Sequence, residues 1–493
     1  MSSYLGSAAE QVVLLSDRGP VRFTSVGDRL VAQTQSGSVT ALLDGIATAA
    51  RYPVTWLSPS TSAADGLAMR QGLFDGQTAR LGYSAQVVLV DEQDFQRYYF
   101  DAGVNIIWSA WHGIEDEIPV RYDAHRPLAS LASYTRVNQA MADRVAEVAA
   151  EHAVVAVQDY QFMLAPAMIR ARRPNLRIVQ FSHIPFASTA SLDRLPPAIT
   201  NALVTGMLGA DLLGFQRAEW AHRFLRHCHR AGLDVDHEQG WVRQCGRRTW
   251  VRCYPVPVDV VALAGRSSSP EVLRWAARTE AADRVARIVR VDRLDPAKNA
   301  LRGFQAYALL LRRRPELARD VRFVACLIPS RECVPDYQRY AARVRQVVDD
   351  INDRYPAAVT VYYGNDQDRA FGVLRGYDVL LINPVADGMN LVALEGPVLN
   401  TKDGVVVVSD TAGAADLLRG GAVSLAQPRN VEATAAALET ALGLSAAERA
   451  ARGRRLTAAL GRLTTADWLD QQIEDAVAAS AGAAPSCPPP TVQ

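Results

Sequence analysis

The 493 residues carry 53 Lys and Arg against 52 Asp and Glu, a formal net charge of +1, with 49% hydrophobic and 21% charged residues. This balance describes a folded globular chain and excludes binding of nucleic acid or anionic membrane through overall charge. At such a length two domains are the natural expectation.

The first ten residues lack a basic stretch followed by an apolar one, so they do not read as a secretory leader. No apolar run approaches the roughly 20 residues that span a bilayer. The six cysteines (Cys228, Cys245, Cys253, Cys326, Cys333, Cys487) show neither a C-x-x-C spacing nor a zinc pattern. Cys228, among His222, His227 and His229, reads as the end of a surface helix. The expected protein is soluble and cytoplasmic, with reduced thiols and no membrane or nucleic-acid partner; the sequence leaves its oligomeric state open, a homo-oligomer included.

In chain order, Val12–Ser16, Val154–Val157 and Ile178–Phe181 read as strands. Ile288–Val291, Val321–Leu327, Val359–Tyr363, Val379–Ile382 and Val405–Ser409 continue the series. Continuous Val/Ile/Leu runs separated by helical segments predict parallel sheets covered on both faces, and hence an α/β chain of two doubly wound domains. The prolines of Tyr254-Pro-Val-Pro-Val-Asp259 suggest the break. The expected organisation is 1–255, 256–470 and a tail 471–493. The chain from about Ser445 reads as Ala/Arg-rich helix, and its Pro/Ser-rich end, 481–493, is expected to fray. Two such sheets facing each other place a ligand outside the carboxyl ends of the strands.

Two stretches follow strands in this way. Asp292-Arg293-Leu294-Asp295-Pro296-Ala297-Lys298-Asn299 brings an Arg and a Lys onto one turn, where a planar fork and a compact point charge suit a diphosphate. The same pair also fits a salt-bridged surface turn. In Asp387-Gly388-Met389-Asn390-Leu391-Val392-Ala393-Leu394-Glu395, Gly388 permits close approach and the following helix offers its N-terminal amides. Glu395, one turn in, suits a pair of ribose hydroxyls. Ser409-Asp410-Thr411-Ala412-Gly413-Ala414-Ala415 is a third small-residue turn, readable as helix–sheet packing alone.

These stretches, with Ser16-Asp17-Arg18, Asp159-Tyr160, His183-Ile-Pro-Phe186 and Leu213-Gly-Phe-Gln216, resemble in order the trehalose-6-phosphate synthase family of retaining glycosyltransferases. The resemblance implies the GT-B arrangement of two Rossmann-like domains and a metal-free site without cofactor. It implies that Arg293 and Lys298 hold the diphosphate of a nucleotide-glucose donor. The backbone from Leu391 through Val392 and Ala393 to Glu395 then holds diphosphate and ribose, with Gly388, Met389 and Asn390 also at the donor, while Asp387 and His183 hold glucose hydroxyls. Gly37 and Ser38 stand where the family has a Gly-Gly turn against the donor. Arg18, Tyr99, Trp108 and Arg331 fall where it grips glucose 6-phosphate, and Asp159 where it meets an acceptor hydroxyl. It further implies that the acceptor attacks the face vacated by the leaving group, with Arg293, Lys298, His183 and Asp159 closest to the chemistry.

Three departures bear on substrate. An aromatic residue packs near the base in uridine-diphosphate-using members, where this chain has Asn365-Asp366; an amide beside a carboxylate matches a guanine edge. The same wording resembles the validamycin-pathway pseudo-glycosyltransferase, a GDP-linked relative, so GDP-glucose is expected ahead of UDP-glucose. Trp56-Leu57-Ser58-Pro59 lacks the Gly-Trp-Ser-Gly of the synthases, which leaves coupling of a GDP-cyclitol to an amino-cyclitol phosphate open, though Tyr99 and Met389 follow the synthases. A catalytically dead sugar-phosphate sensor is the third reading, against which stands the full diphosphate grip. Asp366-Gln367-Asp368 is formally a metal-binding D-x-D, a pattern that arises often by chance.

Overall fold

The computed structural model describes residues 11–35, 38–280, 285–461 and 464–490. It divides into two compact units. The first comprises 1–111, 120–256 and 465–493, the second 112–119 and 257–464.

The first unit contains β1 (Val12–Leu15), β2 (Val21–Val26), β3 (Arg29–Thr34), β4 (Val54–Ser60), β5 (Ser84–Leu89), β6 (Val154–Gln158), β7 (Arg177–Phe181), β8 (Leu212–Phe215), β9 (Asp234–Asp236), β10 (Trp241–Gln244) and β11 (Arg247–Cys253). Its main sheet has the order β5-β4-β1-β6-β7-β8-β11-β10-β9. Pairing is parallel from β5 to β11, and β9–β10–β11 forms an antiparallel edge. Every residue of β1, β4 and β6 is buried, as expected for strands covered on both faces. β2 and β3 pair separately as a hairpin.

The second unit contains β12 (Ala286–Arg293), β13 (Val321–Ile328), β14 (Val359–Tyr363), β15 (Val379–Ile382), β16 (Val405–Ser409) and β17 (Val423–Leu425), in the all-parallel order β14-β13-β12-β15-β16-β17. Phe304 and Tyr307, on the helix Ala300–Arg313, pack with Phe323, Leu381 and Val407 in its core. Both sheets start at a central strand, run outward, and resume on its other side. The chain therefore reverses direction between β1 and β6 in one unit and between β12 and β15 in the other, and ligand loops belong beyond the carboxyl ends of those strands.

All eight strands read from the sequence are present. The fraying expected of 481–493 is not seen in its described part, which ends at 490. The helix Thr465–Ser480 packs on the first unit, with Trp468 against Phe181 (ring centroids 4.8 Å) and its Nε1 donating to the Tyr254 carbonyl at 3.0 Å. Beyond it Cys487 is buried. The buried Asp475 carboxylate accepts from Tyr254 Oη (2.7 Å) and from Ser486 Oγ (2.7 Å), while Arg252 Nε donates to the Cys487 carbonyl (2.6 Å). Pro and Ser content suggested disorder, but these buried charges require partners and the tail backbone supplies them. The tail thus belongs to the first unit, and the segment 112–119, whose Glu117 accepts from Arg302 at 2.8 Å, to the second. No helix among the described residues is long and apolar enough to cross a membrane.

Candidate active site

In the second unit β12 ends at Arg293 and the chain turns at once. Asp295 accepts from the Ala297 amide at 3.0 Å, capping the short turn Pro296–Lys298, and Asn299 closes it at φ 61°. The Asn299 amide group donates to the carbonyls of Asn383 (2.9 Å) and Pro428 (2.7 Å), tying this turn to the loop after β15. In that loop Lys298 Nζ is bonded to Asp387 Oδ2, and Asn390 Nδ2 donates to the same oxygen at 2.8 Å. Burial opposes ionisation of Asp387, but Lys298, His112 and Asn390 outweigh it and hold its carboxyl below the usual range. Asn390, at φ 58°, caps the helix Leu391–Leu399 by accepting from the Ala393 amide at 3.2 Å. That helix thus begins directly after the Asp387 loop to which Lys298 is bonded, an arrangement suited to an anion.

Arg331, at φ 50°, donates to Asp295 at 2.7 Å and to Tyr337 Oη at 2.6 Å. Burial of Asp295 is outweighed by Arg331 and Arg293, which keep its carboxyl low. The turn at 409–415 holds the Asp387 loop by its backbone: the Gly413 amide donates to the Gly388 carbonyl (2.7 Å) and the Ala414 amide to that of Met389 (3.0 Å). A Cβ on Gly413 would stand 2.6 Å from the Gly388 oxygen, so this glycine is a close-approach requirement.

In the first unit the loops after β1 and β6 carry the other residues. Ser16 Oγ donates to the Arg18 carbonyl (2.7 Å) and accepts from Trp56 Nε1 (2.7 Å), and Tyr98 Oη donates to Asp17 (2.9 Å); Arg18 itself is exposed. Asp159 sits at φ 69°, a conformation costly for a residue with a Cβ, and accepts from the His183 amide at 3.1 Å. His183 is buried beside Trp468, with Nε2 2.9 Å from Gln158 Oε1. Burial pushes its pKa down to about 3, so the ring is neutral at physiological pH.

Tyr99 and Trp108 both lie on a twelve-residue π-helix, Arg97–Trp108. Its i→i+5 bonding needs about 4.4 residues per turn, so nine residues make roughly two turns and return to one side. On an α-helix the same spacing ends about half a turn away. The π geometry therefore brings these two residues to one side of the helix.

A profile of glycosyltransferase family 20 matches residues 10–478. The chain belongs to that family. A trehalose-6-phosphate synthase of Mycobacterium sp. (strain KMS) is 31% identical over 79% of this chain and 80% of its own length. The validamine 7-phosphate valienyltransferase of Streptomyces hygroscopicus subsp. jinggangensis is 29% identical over 85% of each. The UDP-forming alpha,alpha-trehalose-phosphate synthase 1 of Arabidopsis thaliana is 30% identical over 79% of this chain, which spans only 42% of that longer protein. The chain likewise spans 62% of a bifunctional synthase/phosphatase from Thermoproteus tenax. Among solved structures, a trehalose-6-phosphate structure from E. coli bound with UDP-2-fluoro glucose superposes with TM-score 0.78 at 25% identity, covering 94% of this chain and 98% of its own. A Burkholderia xenovorans synthase in complex with glucose-6-phosphate gives 0.80 at 23%, covering 95% and 100%, and shows the shared fold.

Within this family 20 chain the structure gathers Arg293, Arg331, Lys298, Asp387 and the 388–395 stretch into one unit, and Arg18, Tyr99, Trp108, Asp159 and His183 into the other. Gly37 lies outside the described residues, as does the side chain of Ser38. Asp366 stands at the head of a helix. Its Oδ1 accepts from the Arg369 amide at 2.9 Å and caps the helix Gln367–Arg375, so that oxygen is engaged locally. Its D-x-D partner Asp368 pairs with Arg266 at 2.9 Å. Asn365 is exposed.

Sequence reasoning missed His112, buried in the second unit and acting on both Asp295 and Asp387. It also missed Gln158, the partner of the His183 ring. Neither stands in a motif; only the return of the chain across the fold reveals them.

Glu395 gives a pH prediction. Loss of solvent pushes its carboxyl up to about 7. Its folded pKa exceeds the unfolded 4.5, so its contribution to stability is present below 4.5 and is lost as pH rises through about 7. The ribose role expected from the sequence needs the carboxylate, and on that expectation donor KM at saturating acceptor falls as pH rises through about 7. Glu395→Gln should flatten that limb; a limb unchanged in the variant assigns it to another group.

Proposed function

We propose that the chain is a retaining, metal-independent α,α-trehalose-6-phosphate synthase that transfers glucose from GDP-glucose, ahead of UDP-glucose, to glucose 6-phosphate. The observation that carries the reading is the Lys298–Asp387 bond at the mouth of the helix Leu391–Leu399. One cation and a row of amides meet a diphosphate there, and Asp387 is poised to accept a sugar hydroxyl once the lysine turns to phosphate. Arg293 adds the second cation.

A retaining transfer elsewhere uses two carboxylic acids about 5 Å apart, one as nucleophile. Here the acceptor hydroxyl attacks the face the diphosphate leaves, and a departing phosphate oxygen takes its proton. The protein positions the two sugars and stabilises charge growing on the diphosphate. Neutral His183 and the strained Asp159 serve as hydroxyl partners, and Arg18, Tyr99, Trp108 and Arg331 as the acceptor grip. The exposed Asn365 amide supports a purine base.

The likeness to the valienyltransferase favours a second reading, transfer of a GDP-cyclitol to an amino-cyclitol phosphate; Tyr99 weighs for the synthase. Incubation with glucose 6-phosphate and either GDP-glucose or UDP-glucose tests both, with kcat/KM expected to favour the guanine donor by roughly tenfold or more. A clear UDP-glucose preference removes the guanine assignment, and no disaccharide phosphate from either donor removes the synthase reading. Activity lost in excess EDTA and restored by a divalent ion removes the metal-independent one.

A further inference from the structure

Arg290 lies in the middle of β12, wholly buried. Its Nε donates to Asp292 Oδ2 at 2.9 Å, and Nη2 donates to the main-chain carbonyl of Lys298. A cation placed so deep is poorly explained by stability, because a well-packed apolar side chain commonly serves as well as a buried ion pair. What an apolar residue cannot do is fork between a carboxylate on the strand and a carbonyl on the turn that follows it.

The helix Ala300–Arg313 makes room for this fork at Gly303. A Cβ there would stand 2.4 Å from Arg290 Nη1 and 3.4 Å from Asn383 Oδ1. Neither of these two buried atoms has a hydrogen-bond partner among the described residues, and the guanidinium occupies the space that a side chain at Gly303 would take. Asn383 is also the residue whose carbonyl holds Asn299. The carbonyl of Lys298 and the side chain of Asn299 are thus both fixed from beneath.

We propose that Arg290, with the space left at Gly303, is a positioning residue that fixes the backbone of Lys298. The proposal rests on the reading that Lys298 meets the donor diphosphate. Arg290 need not touch the donor; its effect travels through one main-chain carbonyl.

The test measures kcat and both KM values for Arg290→Met, Gly303→Ala, the double variant and Lys298→Ala. Arg290→Met and Gly303→Ala are each expected to lower kcat by about tenfold, the scale of one hydrogen bond made by a charged group, with acceptor KM unchanged. The double variant should match Arg290→Met alone, because no guanidinium remains for the added methyl to displace. Full kcat in Arg290→Met, or losses that multiply in the double variant, overturns the proposal. Should Arg290→Met not fold, Gly303→Ala combined with Arg290→Lys decides: the shorter ammonium clears the methyl and should regain most of the activity lost in Gly303→Ala, and no regain overturns the proposal. Lys298→Ala separates the levels. Full activity in that variant removes the underlying reading, whereas an impaired Lys298→Ala beside an intact Arg290→Met removes this inference alone.

Discussion

Lys298→Ala is expected to lower kcat by about 10²-fold or more, the cost of removing one preorganised group from the place where negative charge develops. The physical case begins with Asp387. Its buried carboxyl is kept ionised by Lys298 first among its partners, so the variant loses a phosphate cation and also leaves a buried acid that burial drives toward protonation. Asp387→Asn combined with Lys298→Ala relieves the second effect and leaves the first. A double variant as slow as Lys298→Ala locates the loss in the diphosphate grip. A double variant restored to near-normal kcat would show that the lysine serves only to neutralise Asp387, and the diphosphate assignment would fail.

The second large effect concerns the acceptor. Deleting the exposed Asp101 from within Arg97–Trp108 removes one residue between Tyr99 and Trp108. The segment is then expected to relax to an α-helix, since a π-helix is the less favourable form and often marks a functional site. Eight residues at 3.6 per turn leave the two side chains about 80° apart rather than aligned. Acceptor KM should rise by about 10²-fold, the scale of displacing a positioning contact by an ångström, with donor KM unchanged. An unaltered acceptor KM in a variant of normal helical content would show that the shared helix side of the two residues is not what binds the sugar phosphate.

Much of the fold was legible because both sheets bury strands on two faces. Val12–Leu15, Val379–Ile382 and Val405–Ser409 are continuous apolar runs, and this pattern belongs to parallel sheets whatever their neighbours. The site was legible where chemistry and backbone coincide in one short stretch. Arg293 and Lys298 share a turn, and Asp387 to Glu395 carries its own cap in Asn390. Asp366 was legible as a polar residue at a helix start, and one of its oxygens caps that helix.

The sequence by itself determined the fold class and the two loops that hold the diphosphate candidates, because each is encoded by residues close together in the chain. It did not determine that the residues around Tyr99 would form a π-helix, because i→i+5 bonding leaves no hydrophobic period distinct enough to read. Nor did it show that Asp475 and Arg252 order the tail, that His112 crosses into the second unit, or that Gly303 houses Arg290. Each of these depends on a buried charge or ring finding its partner far along the chain, and only the folded molecule brings those partners together.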